Sequence, residues 1–77
     1  MKVIPLINLA SNETGVIVDI VGGRGVVSRL MALGIRPGKK ITKKSAMIMR
    51  GPIVIQVDST EIALGYGIAQ KILVRKE

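Results

Sequence analysis

The chain has 77 residues, 48% of them hydrophobic, a formal net charge of +7, and neither cysteine nor histidine. Disulfide staples, cysteine-based zinc clusters and imidazole catalysis are therefore excluded. What remains is one small domain, residues 1–77, whose stability must come from aliphatic packing. Its β-branched side chains and frequent glycines favour short strands over a helical bundle, and Tyr66 is the sole aromatic.

The segment 3–10, VIPLINLA, opens the chain. It belongs to the longest uncharged run, Val3 to Asn12, which contains Pro5 and falls far short of the roughly 20 residues a spanning helix needs. One preceding lysine and no small-residue cleavage pattern argue against a signal peptide, so a soluble, intracellular chain is expected. Ser11–Gly15 reads as a polar turn, and VIVDIV (16–21) as a central strand with Val16, Val18 and Ile20 on one face. Across 26–34 the period changes, and Val26, Val27, Leu30, Met31 and Leu33 form an apolar stripe at helical spacing.

The end of that helix is specified in detail. Gly34 fits the left-handed C′ position, which makes Ile35 C″ and folds it back on Leu30, as in a Schellman stop. Pro37-Gly38 then suits the central positions of a type II turn. A lysine-rich strand follows from Lys39 to about Met47, and Arg50-Gly51-Pro52 breaks the chain. IVIQVD (53–58) alternates with Ile53, Ile55 and Val57 inward, and Asp58-Ser59-Thr60 has turn chemistry. EIAL (61–64) returns, residues 65–69 make a tight or helical turn, and KILVRK (71–76) is the last strand. Five short strands, with one helix inserted after the first, predict a mainly β fold: a small closed barrel without exposed edges.

Gly22-Gly23-Arg24-Gly25 stands between strand and helix, where phosphate-cradling loops occur. It lacks the third glycine of the dinucleotide fingerprint and the acid about 20 residues on, and the chain has no P-loop sequence. The glycines are read as reversing the chain and letting the helix pack close to the barrel. Glu13, Asp19, Asp58, Glu61 and Glu77 are scattered, so neither acid–base catalysis nor an intrinsic transition-metal site is expected. Met47 and Met49 fall on one side of an extended segment and suit an adaptable apolar contact better than a cuprous site.

Arg29-Leu30-x-x-Leu33-Gly34-Ile35-x-Pro37-Gly38-x-x-Ile41 resembles the signature of the FeoA family of ferrous iron transport proteins. The likeness extends over nearly the whole chain, through the Gly51-Pro52 step and the strands after it. It departs at Met47–Pro52, where the family often has an Ala-Pro-x-Gly-x-Pro loop, and at Ser59, often a glycine. The resemblance implies an SH3-like barrel, related to the C-terminal domain of diphtheria-toxin-repressor-like iron regulators. It also implies a cytoplasmic accessory, not an enzyme, of the membrane ferrous iron transporter FeoB, engaging and modulating that transporter's cytosolic part. The family is associated with transition-metal binding; this chain's ligand inventory predicts none, or weak binding at subunit contacts.

The function expected is thus protein–protein contact, through an apolar groove between helix and barrel or through the loop Met47, Ile48, Met49 and Arg50. Tyr66 would serve as aromatic anchor, and Lys43 of the basic strand as an electrostatic contact. That strand would also allow peripheral contact with the inner membrane face. Self-association is compatible with so small an apolar body. The alternative is a basic small barrel that binds nucleic acid, disfavoured because single-strand recognition needs stacking aromatics and only Tyr66 is available.

Overall fold

Short runs of isoleucine, valine and leucine, punctuated by turn residues, fold here into one antiparallel sheet. The computed structural model describes residues 2–46 and 50–77. In chain order it contains β1 (Val3–Pro5), a 3-10 turn (Leu6–Asn8), β2 (Thr14–Ile20), α1 (Arg24–Ala32) and β3 (Lys40–Ala46). There follow β4 (Ile53–Val57), β5 (Thr60–Leu64), α2 (Tyr66–Ala69) and β6 (Ile72–Lys76). The sheet order is β1-β6-β2-β3-β4-β5. No helix among the described residues is long and apolar enough to cross a membrane.

Two expectations of architecture are corrected. Six strands form, because Val3–Pro5 adds to β6, and α1 therefore follows the second strand rather than the first. The sheet is also open: β1 and β5 are its two edges, and no ladder joins them among the described residues. The mainly β, SH3-like character holds.

The Gly34 stop forms as the sequence requires. Gly34 has φ +88°, its N–H bonds the Met31 carbonyl at 3.0 Å, and the Ile35 N–H bonds the Leu30 carbonyl at 2.9 Å. These are the two bonds of the Schellman motif, and Leu30 and Ile35 both lie in the core. In the next turn Gly38 has φ +93° and Lys39 N–H bonds the Arg36 carbonyl at 3.1 Å. Gly38 N–H also donates to Ile17 O at 2.8 Å, tying the turn to β2.

The facing of β2 differs from simple alternation. Ile17 pairs with Val74 but Asp19 with Leu73, so Val18 is an extra residue in the strand. This bulge flips the period by one. Ile17 and Ile20 both point into the core, and Val18, expected on the same face as Ile20, is 41% exposed. A second irregularity lies between Lys43 and Ser45 in the pairing of β3 with β4. On β4 the alternation holds, with Ile53, Ile55 and Val57 buried.

The glycines of the Gly22–Gly25 stretch do not serve close packing. A Cβ at Gly23 or Gly25 would meet nothing within 4 Å. Gly22 and Gly23 lie in the bend before the helix, whereas Gly25 is inside it: α1 begins at Arg24, two residues earlier than its apolar stripe indicates. Close approach occurs at Gly15 instead, where a Cβ would lie 3.2 Å from both Arg75 O and Val74 Cβ on β6.

Candidate functional site

Helix α1 stands off the sheet, and only one of its side chains, Leu30, is fully in the core. Val26 and Val27 are half-buried, whereas Met31 and Leu33, expected to complete the packed stripe, are 38% and 48% exposed. Leu33 is the C-cap residue, at the end of the helix where Gly34 and Ile35 turn the chain back. The space left between α1 and the sheet is a groove of about 240 Å³. One wall comprises Val26, Arg29, Leu30 and Leu33 of α1. The other is the end of β5, Ala63 and Leu64, continued by Gly65 and Ile68. This is the helix-to-sheet groove expected from sequence, with one cation, Arg29, in its lining.

A wider depression of about 290 Å³ lies on the opposite character of surface, among Lys40, Thr42, Lys44, Gln56 and Asp58. Its carboxylate is already engaged, for Lys39 Nζ meets Asp58 Oδ2 at 2.8 Å. Lined by polar side chains of mixed charge, it offers a partner no apolar side chain, and the α1 groove is the better site.

The other residues expected at a partner surface divide. Met47, Ile48 and Met49 lie outside the described residues. Arg50 and Tyr66 are brought together, the guanidinium carbon 5.7 Å from the ring centroid, within cation–π range. Tyr66 starts α2, next to Gly65 and two residues before Ile68, and is half-buried against the core. Lys43 is a correction. It sits on the inward face of β3 with Ile41 and is only 8% exposed. Its ammonium donates to Ile7 O at 3.0 Å and Leu9 O at 2.7 Å, so it pins the segment after β1 and is not a surface contact.

Ion pairs also consume much of the basic strand. Besides Lys39 with Asp58, Lys40 Nζ meets Glu77 Oε1 at 3.2 Å and Lys76 Nζ meets Glu13 Oε2 at 2.7 Å. Lys76 and the Ala10 amide together hold the Glu13 carboxyl below the usual carboxylate range. Among the described residues no group of three or more His, Cys, Asp or Glu side chains is placed to hold a metal ion.

This architecture, an open SH3-like sheet with a helix held away from it, recurs in known proteins. A manganese-dependent transcriptional repressor contains it, with TM-score 0.89 over 97% of this chain and 42% of the repressor, at 21% identity, which speaks to the fold alone. A crystal structure of an iron uptake regulatory protein (FeoA) matches over the whole of both chains, with TM-score 0.89 and 34% identity. The sequence is 34% identical over 70 residues to the "Putative Fe(2+) transport protein A" of Methanocaldococcus jannaschii, covering 91% of this chain and 83% of that protein. Residues 4–76 match the FeoA domain. The chain belongs to the FeoA domain family.

Proposed function

We propose that this chain is a small cytoplasmic accessory of ferrous iron transport that binds the cytosolic part of the FeoB transporter through the groove between α1 and β5. Family membership supplies the process, in keeping with the names of its relatives. The observation that carries the contact reading is the groove itself, which keeps Leu33 48% exposed. Apolar side chains held open to water in a concave site are a binding feature rather than a packing one. Any transition metal would be held weakly, since the carboxylates of Glu13, Asp58 and Glu77 are paired with lysines.

The nucleic-acid alternative is not favoured. The sole aromatic packs against the core beneath Arg50 rather than offering a stacking platform, and the β3 lysines are partly paired or internal. The test is an NMR titration of the domain with the cytosolic part of FeoB, repeated with Leu33→Glu. Shifts centred on Val26, Leu33 and Ile68, with affinity lost about tenfold or more in the variant, are expected. Binding with unchanged affinity in Leu33→Glu would remove the groove from the interface.

A further inference from the structure

The two edges of the open sheet are not equally guarded. Strand β1 is three residues long and ends in Pro5, which has no N–H to offer an incoming strand. Short length and proline are standard protections of a sheet edge. Strand β5 has five residues, Thr60–Leu64, with no proline and a single charge, Glu61. Val57 pairs directly with Thr60 across the two-residue turn Asp58-Ser59, which makes it a hydrogen-bonded pair. The alternation of an antiparallel ladder then turns Thr60, Ile62 and Leu64 toward β4. The N–H and C=O groups of Glu61 and Ala63 face the open edge, and among the described residues they have no backbone partner. That edge borders the groove, because Ala63 and Leu64 form its sheet-side wall.

We infer that β5 takes up an extended segment of a partner protein as an additional strand, whose side chains on one face enter the α1 groove. The inference deepens the groove reading above and rests on it. Main-chain bonds at Glu61 and Ala63 supply affinity, and alternate side chains supply selectivity, as in other strand-addition complexes. The chemistry of the segment follows from the lining. Leu30, Leu33 and Ile68 call for aliphatic side chains, and Arg29, which has no ion pair among the described residues, calls for a groove-facing carboxylate two residues away. A second copy of this chain is the poorer occupant, since each copy carries a net charge of +7.

The test uses the full chain, ¹⁵N-labelled, and a capped synthetic peptide alternating threonine with valine, valine and glutamate. Slowed amide exchange at Glu61 and Ala63, with Thr60 and Ile62 unchanged, is expected on binding. Ala63→Pro should weaken binding about tenfold or more and keep its fold, because the lost N–H takes no part in the β4 ladder. If that variant does not fold, the exchange measurement on the unaltered chain decides. Shifts confined to α1 and α2, with Glu61 and Ala63 exchanging as before, would overturn strand addition while leaving the groove reading intact. No shift with the peptide also overturns it, the groove then being judged by the FeoB titration. Equal binding of a lysine-for-glutamate peptide would overturn the acidic partner, and a dimer in sedimentation that Ala63→Pro abolishes would replace it with a second copy.

Discussion

Replacing Lys43 by methionine isolates the contribution of an internal ammonium at nearly constant shape. In the folded protein its Nζ makes two hydrogen bonds, at 3.0 Å to Ile7 O and 2.7 Å to Leu9 O. Hydrogen bonds to charged groups contribute about 1.5–3 kcal/mol each, and a buried carbonyl left without a donor costs about 1–3 kcal/mol. Against this, methionine spares the desolvation of an ammonium, which recovers part of the loss. The net expectation is a destabilisation of about 3 kcal/mol. For a domain of this size that corresponds to a fall in Tm of roughly 12–24 °C. Urea unfolding and calorimetry measure both, and Lys44→Met, at the neighbouring half-exposed bulge position, should change stability by less than about 0.5 kcal/mol. Amide exchange across Leu6–Glu13 should rise in Lys43→Met alone, because Asn12 N–H and the Lys43 carbonyl also join there. A Lys43→Met protein as stable as the parent at unchanged m-value would refute the reasoning, and would mean that charge burial outweighs both bonds.

The glycines give a contrasting set. Gly34→Ala and Gly38→Ala, at φ +88° and +93° with open space around them, should each cost about 1–2 kcal/mol in urea unfolding, from backbone conformation alone. Gly25→Ala, inside α1 and equally unobstructed, should instead stabilise by about 0.5–1 kcal/mol. Ile35→Ala removes a side chain with no exposure and should lower stability by about 2–5 kcal/mol. Glu13 has its folded carboxyl held down by Lys76 first and by the Ala10 amide second. A depressed folded value means stability present above the unfolded carboxyl value and lost as pH falls through the folded one. Glu13→Gln should therefore flatten the acid limb of the stability–pH curve while leaving neutral pH slopes unchanged, and an unaltered acid limb would discount the pairing.

What the sequence made legible was the chemistry of stops and turns. Gly34, Ile35, Pro37 and Gly38 each satisfy a local requirement, and local requirements can be read from adjacent residues. The β4 alternation was legible for the same reason. Three features were not, because each depends on a neighbour distant in sequence. Val3–Pro5 becomes a strand only because β6 lies beside it, which no periodicity in the segment itself records. The Val18 bulge is a mismatch of register between β2 and β6, invisible in either strand alone. Lys43 was misplaced although a signal existed: two residues from Ile41 in a strand, it shares the buried face. The run of lysines suggested a solvated surface, and the carbonyls of Ile7 and Leu9 that accept its protons lie far off in the chain.

The placement of charge follows from the same packing and bears on where a partner meets the domain. Of the four lysines between 39 and 44, Lys39 and Lys40 face carboxylates and Lys43 is internal. Lys76 on β6 is likewise paired. Arg24 and Arg29 on α1 make no ion pair among the described residues, and α1 carries no acid of its own. The ion pairs thus offset charge on β3 and leave the two α1 arginines among the unpaired cations of the described residues, Arg29 at the groove. Exposed pairs of this kind contribute little to stability, but they do set the direction of the field an approaching acidic segment meets. Association should accordingly fall in rate with added salt, and Arg29→Gln should reduce that salt dependence, whereas Lys40→Gln should leave it nearly unchanged. Equal effects of the two substitutions on the association rate would place the steering charge on the sheet rather than on the groove.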